Sequence, residues 1–367
     1  MPATLTDRQL NRATLARQML LERSDRSIED AVAFLLGLQG QQTHDPYIGL
    51  WSRLKQFRHQ EMTALILDRT LVRATSMRAT LHLHTADDLL GIREFVQPVV
   101  ERMWQGAFGK RRFGDNDKQK VRKAGVKLLD KGPMTSGELG KALQEQFPEG
   151  EPLAKAVLMQ VVETLIQIPP TRIWGSGHAP VLTRVENWLP APHRRPISRE
   201  TLGRRYLAAY GPASVMDMQA WCGMTKLGEV FEALRPELVT FEGEDGRELF
   251  DLPDAPRPDA DTPAPPRFLP LYDNVYLGFD NRRRMLEGSD MKRVNILGEY
   301  KPAVLVDGII SAGWVITEKK GAALIEIEPY HTLGKQHIKP LEAEALQFLK
   351  FMREDAKSYD VRIQSKL

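Results

Sequence analysis

Residues 198–234 read SRETLGRRYLAAYGPASVMDMQAWCGMTKLGEVFEAL, and their punctuation sets the reading of the whole chain. Ser198 opens a helix that runs to Tyr210, where Gly211 and Pro212 break it. Ser214, with Asp217 three residues on, starts a second helix in capping-box spacing. Trp221-Cys222-Gly223-Met224-Thr225 makes a turn, after which Leu227, Val230, Phe231 and Leu234 recur at offsets of three and four. Two short strand-like runs follow, 238–241 and 247–252.

Helices joined by a tight turn and followed by a hairpin are the order of a winged-helix unit. The order recurs upstream. Thr135 and Glu138 form a capping box leading through Leu139 and Leu143 to Phe147. A helix from about Leu153 to Leu165 comes next, and Ile166 to Arg184 reads as a strand pair interrupted by Pro169, Pro170 and Gly175. Nearer the start, Thr6 with Gln9 and Ser27 with Asp30 open two helices, the second striped by Ala31, Phe34, Leu35 and Leu38. Arg78 and Thr80 to His84 read as a turn feeding a short strand, with a helix from near Asp87.

A chain of 367 residues exceeds one ordinary core, and two to four units are expected. We expect an α+β protein of tandem winged-helix units, 1–108, 109–192 and 193–262, with a small antiparallel β-rich C-terminal domain over 263–367. The proline-rich acidic stretch before Arg267 serves as a linker. Beyond Phe268-Leu269-Pro270-Leu271-Tyr272-Asp273-Asn274, strands are predicted at 303–306, 309–316 and 322–327, and a helix from Leu341 to about Met352.

A net charge of +3 conceals local segregation. Lys110, Arg111, Arg112, Lys118, Lys120, Arg122, Lys123 and Lys127 form one basic run. Arg194, Arg195, Arg199, Arg204 and Arg205 form another, and Arg282, Arg283, Arg284, Lys292 and Arg293 a third. Such runs suit a phosphate backbone, and equally a solvated surface. A single cysteine, Cys222, beside Trp221, excludes an intrachain disulfide framework and reads as a buried thiol. No signal-like or membrane-length apolar run is present, so a cytosolic setting is expected.

The polar stretch Gln39-Gly40-Gln41-Gln42-Thr43-His44-Asp45-Pro46 interrupts apolar segments. Alternating glutamines on an extended backbone can aim two amides to one side, enough to orient a water, a base or a sugar. Neither amide is a strong base, so chemistry here needs a substrate whose bond is already labile. Helix capping and surface solvation are the competing roles. His44 and Asp45 offer acid/base or groove contacts, or simply a turn. His82 and His84 lack an obvious third metal ligand. HExxH, P-loop and dinucleotide fingerprints are absent.

Taken together, the region Leu10-Asn11-Arg12, Leu38-Gln39-Gly40-Gln41, Arg78 to His84, Phe268 to Asn274, Arg282-Arg283 and Val306-Asp307-Gly308 resembles a winged-helix DNA-binding family that includes bacterial DNA glycosylases acting on bulky alkyl adducts and interstrand crosslinks. The resemblance implies a concave DNA-binding surface and a monofunctional DNA glycosylase hydrolysing N-glycosidic bonds of N7-alkylated purines. It makes Gln39 and Gln41 the catalytic pair, orienting water. Gly40 departs from the bulkier aliphatic residue between the two glutamines. Arg78, His82 and Arg172 are candidate contacts near the damaged nucleotide, and Arg194, Arg195, Arg282 and Arg283 candidate phosphate contacts. The implied partner is double-stranded DNA, damaged or alkylated, met by a monomer in the cytoplasm or nucleoid without cofactor, metal or membrane. A noncatalytic DNA-binding regulator and a protein-interaction module are the alternatives.

Overall fold

The computed structural model describes residues 3–189, 197–286 and 301–364. Helices and strands are mixed, as an α+β chain requires, and among the described residues the strands form three sheets. The helix starts legible in the sequence are present as hydrogen bonds: Thr6, Thr135 and Ser214 each close a full capping box, and Ser27 accepts from the Asp30 amide.

Strand Leu71–Thr75 lies at the centre of a six-stranded antiparallel sheet. It pairs with Leu81–Thr85 on one side and Leu165–Ile168 on the other. Leu38–Gln39 closes one edge against Leu81–Thr85, and Val181–Arg184 and Met134–Thr135 close the other. Strands from residues 38–85 and from 134–184 therefore share one hydrogen-bonded sheet. Val72 and Ala74 pack with Ile166, Ile168 and Leu89 on one face, whereas Leu71 and Arg73 occupy the other, the alternation expected of a strand.

The second sheet spans Arg267–Phe268, Ala303–Val306, Ile309–Lys319, Ala322–Pro329 and Ser358–Ile363. The three predicted strands pair antiparallel, and Arg267–Phe268, which was not predicted, adds a fourth antiparallel strand at the edge. Ser358–Ile363 corrects the antiparallel expectation: it pairs in parallel with Ala322–Pro329, because helix Lys335–Met352 supplies the crossover that parallel neighbours need. That helix begins six residues before Leu341 and carries Pro340 inside, forgoing one backbone bond near its start. Phe268, Trp314 and Phe348 share a core with Leu38, Tyr47 and Leu50, so the C-terminal sheet packs directly on the N-terminal helices.

Helix Asp7–Arg17 is polar yet buries Asn11, Arg12, Thr14 and Arg17. The acidic stretch before Arg267 wraps onto one side of it, while Arg284, Asp307 and Gly308 cover Asn11, Arg12 and Thr14. Arg12 donates to the Thr262 carbonyl at 2.6 Å, and Arg17 forms a two-pronged pair with Asp251 at 2.7 and 2.8 Å. Thr4–Leu5 adds a parallel strand to Val239–Gly243, which pairs with Glu248–Asp251. The sequence pattern had not revealed that first strand.

Candidate functional site

The glutamine pair sits where an edge strand ends. Gln39 faces His82 in register, and the Gly40 amide still donates to the Leu81 carbonyl at 2.8 Å. Residues 41–44 then bend into helix Asp45–Trp51, and the Asp45 carboxylate accepts the Gln42 amide at 3.1 Å. Because the extended backbone stops at Gln39, the two side chains have different surroundings. Gln39 is 7% exposed, while Gln41 is open to solvent.

Arg73 fills the space behind this bend. Its Nη1 donates to the carbonyls of Gly40 at 3.0 Å and Gln42 at 3.4 Å, and Nη2 to that of Thr43 at 3.4 Å. Burial pulls its pKa down to about 10, so the guanidinium remains a cation at neutral pH. Nothing in the sequence marked Arg73 as part of the site, since a lone arginine in a strand reads as a solvent-facing position. Asp45 was noticed, but its environment was not legible: desolvation raises its pKa to about 6, against the opposing effects of the Gln42 amide and Arg73.

Arg78 holds Gln39 from the other side. Its backbone is left-handed, with φ at 53°, in the bend between the two central strands. Nη2 donates to Gln39 Oε1 at 2.7 Å and to His82 Nε2 at 3.3 Å, and Nη1 donates to the Trp221 carbonyl. A guanidinium only donates, so the amide must present its oxygen to Arg78 and keep its NH2 for other partners. His82 is 1% exposed, and its Nδ1 donates to the Thr80 carbonyl at 3.0 Å. Burial first, and then the Arg78 charge, push its pKa well below the usual value, leaving a neutral ring that accepts from Arg78. His84, buried 5.8 Å away ring to ring, bonds Ser76 Oγ at 2.8 Å and is pushed down to about 4 by burial.

Other candidate residues gather around the bend to differing degrees. Arg172 donates to the Gln41 carbonyl at 3.2 Å, and Trp174 on the same segment presents its amide to the Tyr47 hydroxyl and its ring to the His44 ring at 4.6 Å. Arg282 lies 4.3 Å over Tyr276 and adds to the positive field that Arg78 feels. Arg283 pairs with Asp7 at 2.9 Å. Arg194 and Arg195 lie outside the described residues. Asp273 and Asn274 secure the approach to the glutamines: Asp273 makes a buried two-pronged pair with Arg53, and Asn274 donates to the Gly37 carbonyl at 3.0 Å. In the 110–127 run, Lys110, Arg112 and Arg122 pair with Asp115, Glu151 and Glu163, while Lys120, Lys123 and Lys127 stay exposed.

The site thus offers one exposed amide, one amide fixed in orientation and the partly exposed Arg172, with the buried Arg73 and the partly buried Arg78 bracing the glutamine bend from within. It suits recognition of a polar or phosphate-bearing ligand and positioning of water, without a strong base.

Comparison with known proteins assigns the chain to a family. A sequence model described as "DNA glycosylase AlkZ-like" matches residues 32–351. Among solved structures, Streptomyces sahachiroi DNA glycosylase AlkZ superposes with a TM-score of 0.77 at 21% identity, covering 98% of this chain and 100% of that one. At that identity the superposition speaks for the fold. A search of curated protein sequences finds no match.

Proposed function

The chain belongs to the AlkZ-like DNA glycosylase family, and we propose that it releases bulky N7-alkylated purines, including those in alkyl interstrand crosslinks, through Gln39 and Gln41. The observation that carries the assignment of roles is the Arg78–Gln39 hydrogen bond beside an exposed Gln41. In such a reaction the C1′–N9 bond breaks heterolytically and its electron pair neutralises the cationic purine, which leaves. Water then adds to C1′ and loses a proton to solvent. Gln41, through its carbonyl oxygen, orients that water. Gln39, whose oxygen is engaged by Arg78, turns its NH2 toward the substrate. Alkylation supplies the leaving group, so the lack of a strong acid is no obstacle.

On this reading His82 is a positioning residue that acts through Arg78. Arg172 braces the Gln41 backbone while contributing charge toward a phosphate, and Arg282, Arg283, Arg194 and Arg195 are assigned to phosphate positioning. The helices Lys118–Leu129, Ser136–Gln146 and Pro152–Val162, followed by the strand pair at 165–184, have the order of a winged helix. The helices within 199–234, followed by strands 239–251, repeat it. We assign three such units, over 1–108, 109–192 and 193–262, to a monomer that grips damaged double-stranded DNA through an open concave surface. Among the described residues no helix is long and apolar enough to cross a membrane, and a nucleoid-associated, cytoplasmic role fits a DNA substrate.

The test is base release from N7-alkylated and crosslinked duplexes by the wild type and by the Gln39→Ala/Gln41→Ala double variant. Release by the wild type should fall about 10³-fold in the variant, with duplex affinity largely kept. No release by the wild type at large enzyme excess favours a noncatalytic DNA-binding protein instead.

A further inference from the structure

A cavity of about 330 Å³, lined in part by the exposed Gln41, lies between helix Gln97–Phe113, helix Pro152–Val162 and the central hairpin. That volume falls near the lower end of the roughly 300–1,000 Å³ typical of small-molecule pockets. One wall is a stripe on the first of these helices in which Val100, Met103, Trp104, Ala107 and Phe108 recur at helical spacing. Met103 is 52% exposed, among the most exposed large apolar side chains of the protein. Of the described residues lining the cavity, none is charged.

We propose that this cavity is a subsite for the apolar body of the lesion, an aryl or branched alkyl substituent carried by the purine. The proposal rests on the glycosylase reading and extends it to substrate choice. Three observations favour the substituent over the base itself. Gln41 stands on the rim, so a group attached to a purine whose sugar meets Gln41 enters without further displacement. An N7-alkylated purine is a cation, and a chamber without a carboxylate offers it no compensation for lost water. The lining is mostly hydrocarbon and aromatic, which suits a substituent that sheds its hydration on entry. The cationic base and its phosphates then stay outside the cavity, whose lining does not include Arg172.

The test uses binding, so that it stands whether or not the wild type cleaves. Duplexes with a 2′-fluoro sugar, which resists glycosidic cleavage, carry either N7-benzylguanine or N7-methylguanine. Wild type should bind the benzyl duplex about tenfold more tightly, a difference of about 1.4 kcal/mol. Ala107→Trp, which fills the cavity from an exposed helix position, and Met103→Gln, which makes its rim polar, should reduce that preference to about twofold or less. Thermal unfolding of both variants confirms that they fold. Equal wild-type affinity for the two duplexes overturns the proposal, as does a benzyl preference that survives both substitutions, or an Ala107→Trp variant that weakens both duplexes equally. Base release from the unfluorinated duplexes, measured separately, tests the glycosylase reading.

Discussion

The guanidinium of Arg73 packs tightly against the place a side chain on Gly40 would take: a Cβ there would lie 3.3 Å from Nε and 3.4 Å from Cζ. Gly40 does not have a left-handed backbone, so its smallness answers to Arg73 and not to the turn itself. The departure from a bulky middle residue is therefore matched by a buried cation that takes up the space and braces the bend through three carbonyls. Gly40→Leu should cost about 1–3 kcal/mol by overpacking and slow base release by at least about tenfold. Coupling the two positions tests the account. In the Gly40→Leu/Arg73→Ala pair the effects should be non-additive by more than about 0.5 kcal/mol in urea unfolding, and additive values would separate the two residues.

Arg73→Lys keeps the charge but loses the planar fork that reaches three carbonyls. It should lower kcat by more than it raises KM, because it loosens the aim of Gln41 without removing a ligand contact. Steady-state kinetics on an N7-alkylated duplex measures the split. An equal loss from both terms would point to general destabilisation.

Arg53, just past the end of helix Asp45–Trp51, forms a buried two-pronged pair with Asp273. Asp273→Ala strands the arginine without its partner and should destabilise the protein by about 3–5 kcal/mol, read as a lowered midpoint in urea. A midpoint within experimental error of the wild type would show that the pair contributes nothing net.

Stability should depend on pH with two opposing signs. Folded Asp45 takes its proton at about 6 and the unfolded chain near 3.8, so the fold binds more protons in that window and loses stability as pH rises through it. Asp45→Asn should therefore stabilise the protein above pH 6, by at most about 3 kcal/mol, with the gain gone by pH 4. His84 acts the other way. Its folded value is about 4 against 6.5 unfolded, so stability is lost as pH falls below 6.5. His84→Gln should flatten the decline between pH 6.5 and 4, and unfolding midpoints across that range would reveal a slope unchanged by either substitution.

Local signals in the sequence foretold the helices well. Thr6, Ser27, Thr135 and Ser214 cap within three residues of themselves, so their information is contained in a short window. The glutamine pair was visible for the same reason. Its asymmetry was not, because the burial of Gln39 depends on Arg78, thirty-nine residues away, and the footing of the bend on Arg73. Strand Ser358–Ile363 was missed because it alternates intermediate and exposed positions and lacks an apolar run. Long-range partners and edge strands leave little trace in periodicity.

The sheet that carries Gln39 at one edge runs unbroken to Met134–Thr135 at the other, through the pairing of Arg73 with Gln167 and Ala74 with Ile166. The glutamine turn and the hairpin at 165–184 are thus tied together through one hydrogen-bonded sheet. On the proposed function, we expect the fit to a distorted lesion to come mainly from the nucleic acid. Sequences or crosslinks that ease bending of the duplex should then be the ones the protein engages soonest.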